Sequence, residues 1–163
     1  MNSAEVALFY WPEIRDYALR LVDDLAQDDM IAQPVSGVVM NHPSWILSHL
    51  AVYAPMCANM FRGVPADDPL HSPYGRDSRP KPDGGAYLPK DKLVAAFRDG
   101  YNDAADALRV MDPARLGEPT PIERFLPRFP TIGHLPIQFL VKHTSLHLGQ
   151  LSAWRRAGGR PPV

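Results

Sequence analysis

The sequence contains little cysteine and little glutamate, and each scarcity excludes a class of protein. Its only cysteine, Cys57, has no partner for an internal disulfide, so the chain lacks the framework of a small disulfide-rich secreted domain. Nothing at the N-terminus resembles a signal peptide, and we expect a cytoplasmic protein. Four glutamates are present, which is too few for a carboxylate-bridged di-iron centre in a helical bundle.

Acidic residues are also missing from residues 124–163, which contain six basic side chains. A nucleic-acid binder usually carries its basic excess over a whole domain, and the sequence pI of about 6.6 argues against that class. We expect the basic segment to pair with acidic side chains elsewhere in the chain. Arg155 and Arg156 are candidates either to oppose the macrodipole at the end of a helix or to attract an anionic ligand.

The spacing of apolar residues predicts four helices, at residues 3–28, 43–61, 89–111 and 131–159. Prolines and glycines separate them, and the connection over residues 63–89 is long enough to be a lid, a binding loop or a packed crossover. The fold class is therefore all-α, a four-helix bundle with long crossover connections in one domain, residues 1–163. The apolar face of the first helix is predicted to consist of Val6, Tyr10, Ile14, Tyr17, Leu21 and Leu25.

The second predicted helix contains no charged residue between Pro43 and Phe61. A helix of this kind is buried on most sides, either in the centre of the bundle or against a second subunit. It does not read as a membrane span, because polar residues such as Ser44, Ser48 and Asn59 interrupt it and the other helices are amphipathic.

His143 and His147 lie four residues apart on the fourth predicted helix, which places both imidazoles on one face. This is a metal-ligand spacing, although it also arises in cores whose histidines make ordinary hydrogen bonds. His49 lies in the middle of the uncharged second helix, where an unpaired ring would cost about 1–3 kcal/mol. A metal shared with His143 and His147 would satisfy it.

Three imidazoles without a carboxylate suit Zn²⁺ or Ni²⁺, and also Fe²⁺ or Co²⁺, and leave a coordination position open. The H-E-x-x-H motif of zinc proteases is absent, since Thr144 follows His143. Cys57 is a poor fourth ligand because it lies about 80° around the helix and about 12 Å along it from His49. His42 is expected to be a cap or mouth residue, and His134 and His71 lie outside the cluster.

Two segments carry a resemblance to a known family: residues 43–50, PSWILSHL, and residues 143–151, HTSLHLGQL, with RRAG and a proline beyond. Together with the helix order, they resemble the DinB superfamily, the DinB-like and YfiT-like four-helix metalloproteins related to bacillithiol- and mycothiol-dependent S-transferases. The resemblance covers essentially the whole chain. It implies that His49, His143 and His147 hold a divalent metal, in a protein that often dimerises.

The resemblance does not fix one reaction, because similar proteins include thiol transferases, isomerases and many proteins with no known activity. The leading hypothesis is a metal-dependent thiol transferase that joins a low-molecular-weight thiol to a small electrophile, and a metal-dependent hydrolase uses the same chemistry. The alternatives are a non-catalytic metal- or ligand-binding protein of the stress-related kind and a purely structural bundle. Trp45 and Tyr53 flank His49 and are candidate pocket walls, or else core residues. Gln150 follows His147 by three residues and is a candidate to contact a ligand or orient an imidazole. A homodimer without nucleic-acid or membrane partners is expected.

Overall fold

The computed structural model describes residues 1–163, and four α-helices form a bundle around one cluster of buried apolar side chains. They are α1 (Ser3–Asp23), α2 (Pro43–Arg62), α3 (Lys90–Val110) and α4 (Thr144–Ala157). There is no β-strand, and the only bridge is an isolated antiparallel pair between Pro119 and Thr131. The predicted all-α four-helix bundle is confirmed. No helix is both long and apolar enough to cross a membrane.

Helix α1 is shorter than predicted, and its buried face is only partly the predicted one. Asn2, not Ser3, caps its N-terminus, in a reciprocal capping box with Glu5. The helix stops at Asp23, and a separate 3₁₀ turn follows at Asp28–Ile31. Of the predicted apolar face, Leu21 and Leu25 are buried and Ile14 and Tyr17 pack against the core, whereas Tyr10 is exposed. The buried residues of α1 are Ala7, Trp11, Ala18, Leu21 and Val22.

Helix α2 lies in the interior of the bundle, which explains its lack of charge. It begins at Pro43 after the N-cap His42 and ends at Gly63, whose positive φ of 76° closes the helix. Its closest packing is against α3, where a Cβ added to Gly100 would lie 3.0 Å from that of Ala54. Of the two expectations for α2, the bundle centre is therefore correct, and no second subunit is needed to account for its burial.

The fourth predicted helix is divided into three pieces. Thr131 precedes a 3₁₀ turn at Ile132–His134, a π-helical segment follows at Ile137–His143, and α4 begins at Thr144. The continuous α-helix predicted from residue 131 is therefore wrong before His143. A π segment widens the turn to i→i+5 hydrogen bonds and is frequent at functional sites.

The first connection, residues 63–89, is a packed crossover fastened along one side of α2. The His42 ring donates from Nε2 to the Lys81 carbonyl at 3.1 Å, and the Trp45 indole donates to Ser78 Oγ at 3.1 Å. His49 donates from Nδ1 to the Tyr74 carbonyl at 2.8 Å. These three donors lie three and four residues apart, on one face of α2.

The second connection, residues 111–136, meets the first through a bidentate ion pair. Both nitrogens of the Arg124 fork contact the Asp68 carboxylate at 2.6 Å, and both side chains are about a quarter exposed. The two connections therefore come together on the side of the bundle where His49 lies.

The basic C-terminal segment pairs with acidic residues of the α1 end, as expected. Arg155 is only 2% exposed and contacts the Asp24 carboxylate and the Leu21 carbonyl. Arg160 contacts Asp29 at 2.7 Å. Arg155 lies in the last turn of α4, as predicted, but its guanidinium is buried between α1 and α4 and paired with Asp24, so it does not attract an anionic ligand.

Candidate metal centre

Three histidines, one each from α2, the π segment and α4, converge at one point. His49 comes from the middle of α2, His143 ends the π segment, and His147 lies in the first turns of α4. One ring nitrogen from each lies within 4.8 Å of the others, and no cysteine or carboxylate joins the group. His49 and His147 are 4% and 7% exposed, and His143 is half-buried. The two predicted helices thus bring together the three residues singled out in the sequence.

Partners outside the cluster fix the orientation of two of the rings. A carbonyl oxygen only accepts hydrogen bonds, so the contact with Tyr74 requires the proton of His49 on Nδ1. Its Nε2 lone pair therefore points toward the other histidines. His147 Nδ1 lies 3.1 Å from Gln150 Oε1, which also accepts from Asn41 Nδ2 at 3.0 Å. This amide oxygen holds the proton on His147 Nδ1 and leaves its Nε2 free.

The geometry and chemistry of the three imidazoles fit a divalent metal. His49 Nε2 and His143 Nε2 are 3.1 Å apart. Two nitrogens bound to one tetrahedral zinc ion at about 2.05 Å each lie about 3.3 Å from one another. His143 Nδ1 is buried and has no protein partner, so this ring has no contact that competes for its orientation. The three-histidine group could therefore hold a metal ion, which would accept the converging lone pairs.

Burial keeps the three rings neutral, which is the state that binds metal. Desolvation, helped by the neighbouring imidazoles, lowers the pKa of His143 to about 3. The pKa of His147 falls to about 4, mainly through burial and also through His49. Burial likewise lowers the pKa of His49, against the opposing effect of the Tyr74 carbonyl. Protons therefore do not compete with a metal for these nitrogens near neutral pH.

The histidines form part of the wall of a cavity of about 380 Å³ that opens to solvent. Trp45 stacks on His49, with ring centroids 4.9 Å apart and planes 13° apart. Tyr53 lies 5.1 Å from the ring centroids of both His49 and His143. The remaining wall comes from both connections and from the π segment, and consists of Arg76, Arg124, Phe125, Arg128, Phe129, Gln138 and Phe139.

Comparison with known families agrees with this geometry. Residues 11–151 match the family model described as the DinB superfamily. The chain belongs to the DinB superfamily. The match includes all three clustered histidines, Gln150 and both connections, and no curated protein matches the chain. Superfamily membership and the three-histidine cluster together fit a metal-binding helical protein.

The other residues considered as metal ligands in this DinB-superfamily chain lie outside the three-histidine cluster. His42 is fully buried and caps α2, because its Nδ1 accepts from the Trp45 backbone N–H at 3.2 Å. His134 is exposed and contacts Thr131. Cys57 is buried outside the cluster, and burial raises the pKa of its thiol, so it is neither a fourth ligand nor a nucleophile.

Sequence reasoning missed two groups around the histidines. Asn41, the residue before the N-cap of α2, donates a hydrogen bond to Gln150. The two residues are 109 positions apart in sequence, so no local pattern predicts the contact. The cavity arginines were missed as well. The run of basic residues after residue 123, with no acidic residue among them, was a signal that could have pointed to Arg124 and Arg128. No pattern in the sequence indicates that Arg76 lines the cavity.

Proposed function

We propose that this DinB-superfamily protein binds a divalent metal through His49, His143 and His147 and is an enzyme of the thiol S-transferase type. The observation that carries the proposal is the convergence of three neutral imidazoles, with no fourth protein ligand, in the wall of an open cavity. A site with three protein ligands and an open position is typical of catalytic rather than structural metal. A divalent cation there supplies Lewis acidity, which lowers the pKa of a coordinated thiol or water.

The residues of the chain orient the imidazoles and cover part of the site. The Tyr74 carbonyl and the Gln150 amide oxygen fix the tautomers of His49 and His147. Trp45 and Tyr53 cover the His49 ring on two sides. The first connection stays closed over this end of α2 through its bonds to His42 and Trp45. A small electrophile would enter from the open side, against Phe125, Phe129 and Phe139.

Metal analysis tests the first half of the proposal. Protein purified without a nickel column should contain about one divalent metal per chain, most of it zinc or nickel. His143→Ala should lose the metal, because it removes one of the three ligands. The substitution should disturb little else, since this ring has no polar contact except with His49. His134→Ala is the matched control and should retain the metal, since His134 lies outside the cluster. A wild-type chain that neither contains metal nor gains thermal stability with Zn²⁺ or Ni²⁺ contradicts metal binding.

A thiol screen tests the second half. Bacillithiol, mycothiol, glutathione and coenzyme A are each combined with monochlorobimane, and the rate of adduct formation is compared between wild type and His143→Ala. At least one thiol should react faster with the wild type. If the wild type binds metal but reacts no faster than His143→Ala with any thiol, the transferase proposal is wrong. The protein would then be a non-catalytic metal-binding protein.

A further inference from the structure

Three guanidinium groups line the cavity beside the histidines, and they come from the two connections and not from the four α-helices. Arg76 belongs to the first connection, and Arg124 and Arg128 belong to the second. No aspartate or glutamate lines the cavity. The arginines are therefore the strongly charged side chains that the protein presents to a ligand here.

Arg124 is already engaged and has a structural role. Its fork binds the Asp68 carboxylate through two bonds of 2.6 Å, and its guanidinium lies 4.4 Å from the Phe125 ring centroid. This arrangement satisfies the charge of Arg124 and positions the aromatic wall of the cavity. Arg124 therefore has little capacity left for a second anion.

Arg76 and Arg128 differ from Arg124 in having no carboxylate within salt-bridge distance, although most arginines of the chain have one. Arg128 lies 5.4 Å above the Phe129 ring, and Phe129 also lines the cavity. Arg76 is close enough to Tyr53 for its charge to lower the pKa of that hydroxyl, against the larger raising effect of burial. Two unpaired cations thus face a partly apolar cavity from opposite connections.

We propose that Arg76 and Arg128 bind the acidic group of the substrate, and that the ligand class of this cavity is a small molecule with a carboxylate or phosphate at one end. The planar fork of arginine binds both groups through paired N–H donors. The apolar part of such a ligand would lie against Phe125, Phe129 and Phe139. The inference rests on the proposed function only for the identity of the reacting end, which would face the histidines.

Matched acidic and neutral probes test the inference by a binding measurement. Calorimetric titrations would compare phenylacetate and phenyl phosphate with the neutral isostere phenylacetamide, on zinc-loaded protein and on protein treated with chelator. We expect at least one acid to bind the wild type about tenfold tighter than the amide, with an affinity that falls as salt is added. The stronger of the two acids identifies the carboxylate or phosphate class.

Arginine variants assign the effect to these residues. Arg76→Gln and Arg128→Gln should each weaken the acid about tenfold and leave the amide unchanged, whereas Arg156→Gln, an exposed cation outside the cavity, should alter neither. Circular dichroism checks that each variant is folded. Equal affinity for acid and amide, no measurable binding of either acid, or an equal effect of Arg156→Gln overturns the inference. The titrations on chelator-treated protein measure acid binding in the absence of metal. A failure of metal binding is therefore distinguished from a failure of acid binding.

Discussion

His42 shows how the two nitrogens of one buried ring join separate parts of the chain. Its Nδ1 accepts a hydrogen bond from the backbone N–H of Trp45, and its Nε2 donates to the Lys81 carbonyl. Only the neutral ring does both, because a protonated Nδ1 cannot accept. The ring is fully buried with the edge of Tyr87 beside it, and burial lowers its pKa.

The stability of the protein should therefore depend on pH through His42. Its folded-state pKa lies below the unfolded value of about 6.5, so its contribution is complete above that pH and is lost as the pH falls toward the folded pKa. For one such group, the free energy of unfolding changes by at most about 1.4 kcal/mol per pH unit. We expect His42→Asn, which retains a capping side chain, to lose less stability than the wild type between about pH 7 and pH 5.

Urea denaturation at each pH measures this difference. His134→Asn replaces an exposed histidine and should follow the wild-type pH dependence. The other buried histidines contribute equally to wild type and variant, so the difference in slope belongs to His42. Parallel curves for His42→Asn and wild type would show that His42 is not the titrating group.

Gln150 acts on metal binding through His147, which it contacts at 3.1 Å. We expect Gln150→Ala to weaken zinc about 10–100-fold, because the ring loses the acceptor that fixes its tautomer. Gln150→Glu retains an acceptor and should recover most of the affinity. Competition with a zinc indicator measures both constants. If Gln150→Ala bound zinc as tightly as the wild type, the hydrogen bond to His147 would have no part in holding the metal.

At the scale of elements, the Asp68–Arg124 pair determines how the two connections sit over the cavity. Hydrogen bonding to Arg124 lowers the pKa of Asp68, so the pair stabilises the fold at neutral pH and weakens in acid. Asp68→Asn should reduce the free energy of unfolding by about 1 kcal/mol and speed amide hydrogen exchange in residues 63–89. Asp103→Asn breaks a more exposed pair with Arg62, 52% and 42% exposed, and should do neither. Unchanged exchange in Asp68→Asn would mean that the first connection is held by α2 alone.

Arg155 and Arg156 are neighbours in sequence with opposite surroundings. Arg155 joins α4 to the end of α1 through Asp24 and Leu21, whereas Arg156 is exposed. Arg155→Ala should cost about 2 kcal/mol, because it leaves the Leu21 carbonyl buried without its donor and removes packing between the helices. Arg156→Ala should change stability by less than about 0.5 kcal/mol. Thermal unfolding distinguishes the two, and equal effects would contradict a buried role for Arg155.

The sequence predicts the ends of α2 and α3 better than it predicts the buried face of α1 or the π segment. Helices α2 and α3 were placed within a residue because proline and glycine mark their ends and their apolar residues are unambiguous. Part of the buried face of α1 was missed, because the small residues Ala7 and Ala18 carry little apolar signal although they allow close packing. Nothing in the apolar period distinguishes the π segment from the α-helix that it precedes.

At the scale of the whole molecule, the candidate site was predictable only where it lies on helices. Helical spacing and the uncharged run of α2 were enough to select His49, His143 and His147. Arg76 and Arg128 reach the cavity along connections whose paths depend on distant contacts such as Asp68 with Arg124. A path set by tertiary contacts leaves no periodic pattern in the sequence.

The homodimer remains a prediction at this scale. The uncharged surface of α2 is already covered within the chain, so a dimer would use another face. Exposed apolar side chains on the outer face of α1, Phe9 at 69% and Tyr10 at 45%, are the candidates. Sedimentation velocity should give twice the mass of one chain, and Phe9→Ser with Tyr10→Ser should give a monomer. A monomeric wild type at micromolar concentration would exclude the dimer.

The π segment that ends at His143 lets part of the cavity wall change without a change in the spacing of His143 and His147. Each of its i→i+5 hydrogen bonds spans one more residue than the i→i+4 bonds of an α-helix. Deleting one residue from this segment would restore the α-helical turn and rotate the side chains before the deletion by about 100° relative to α4. Gln138 and Phe139 would leave the cavity, while His143 and His147 would keep their spacing on one face. A chain shortened by one residue here would therefore change what the protein accommodates without changing what holds the metal.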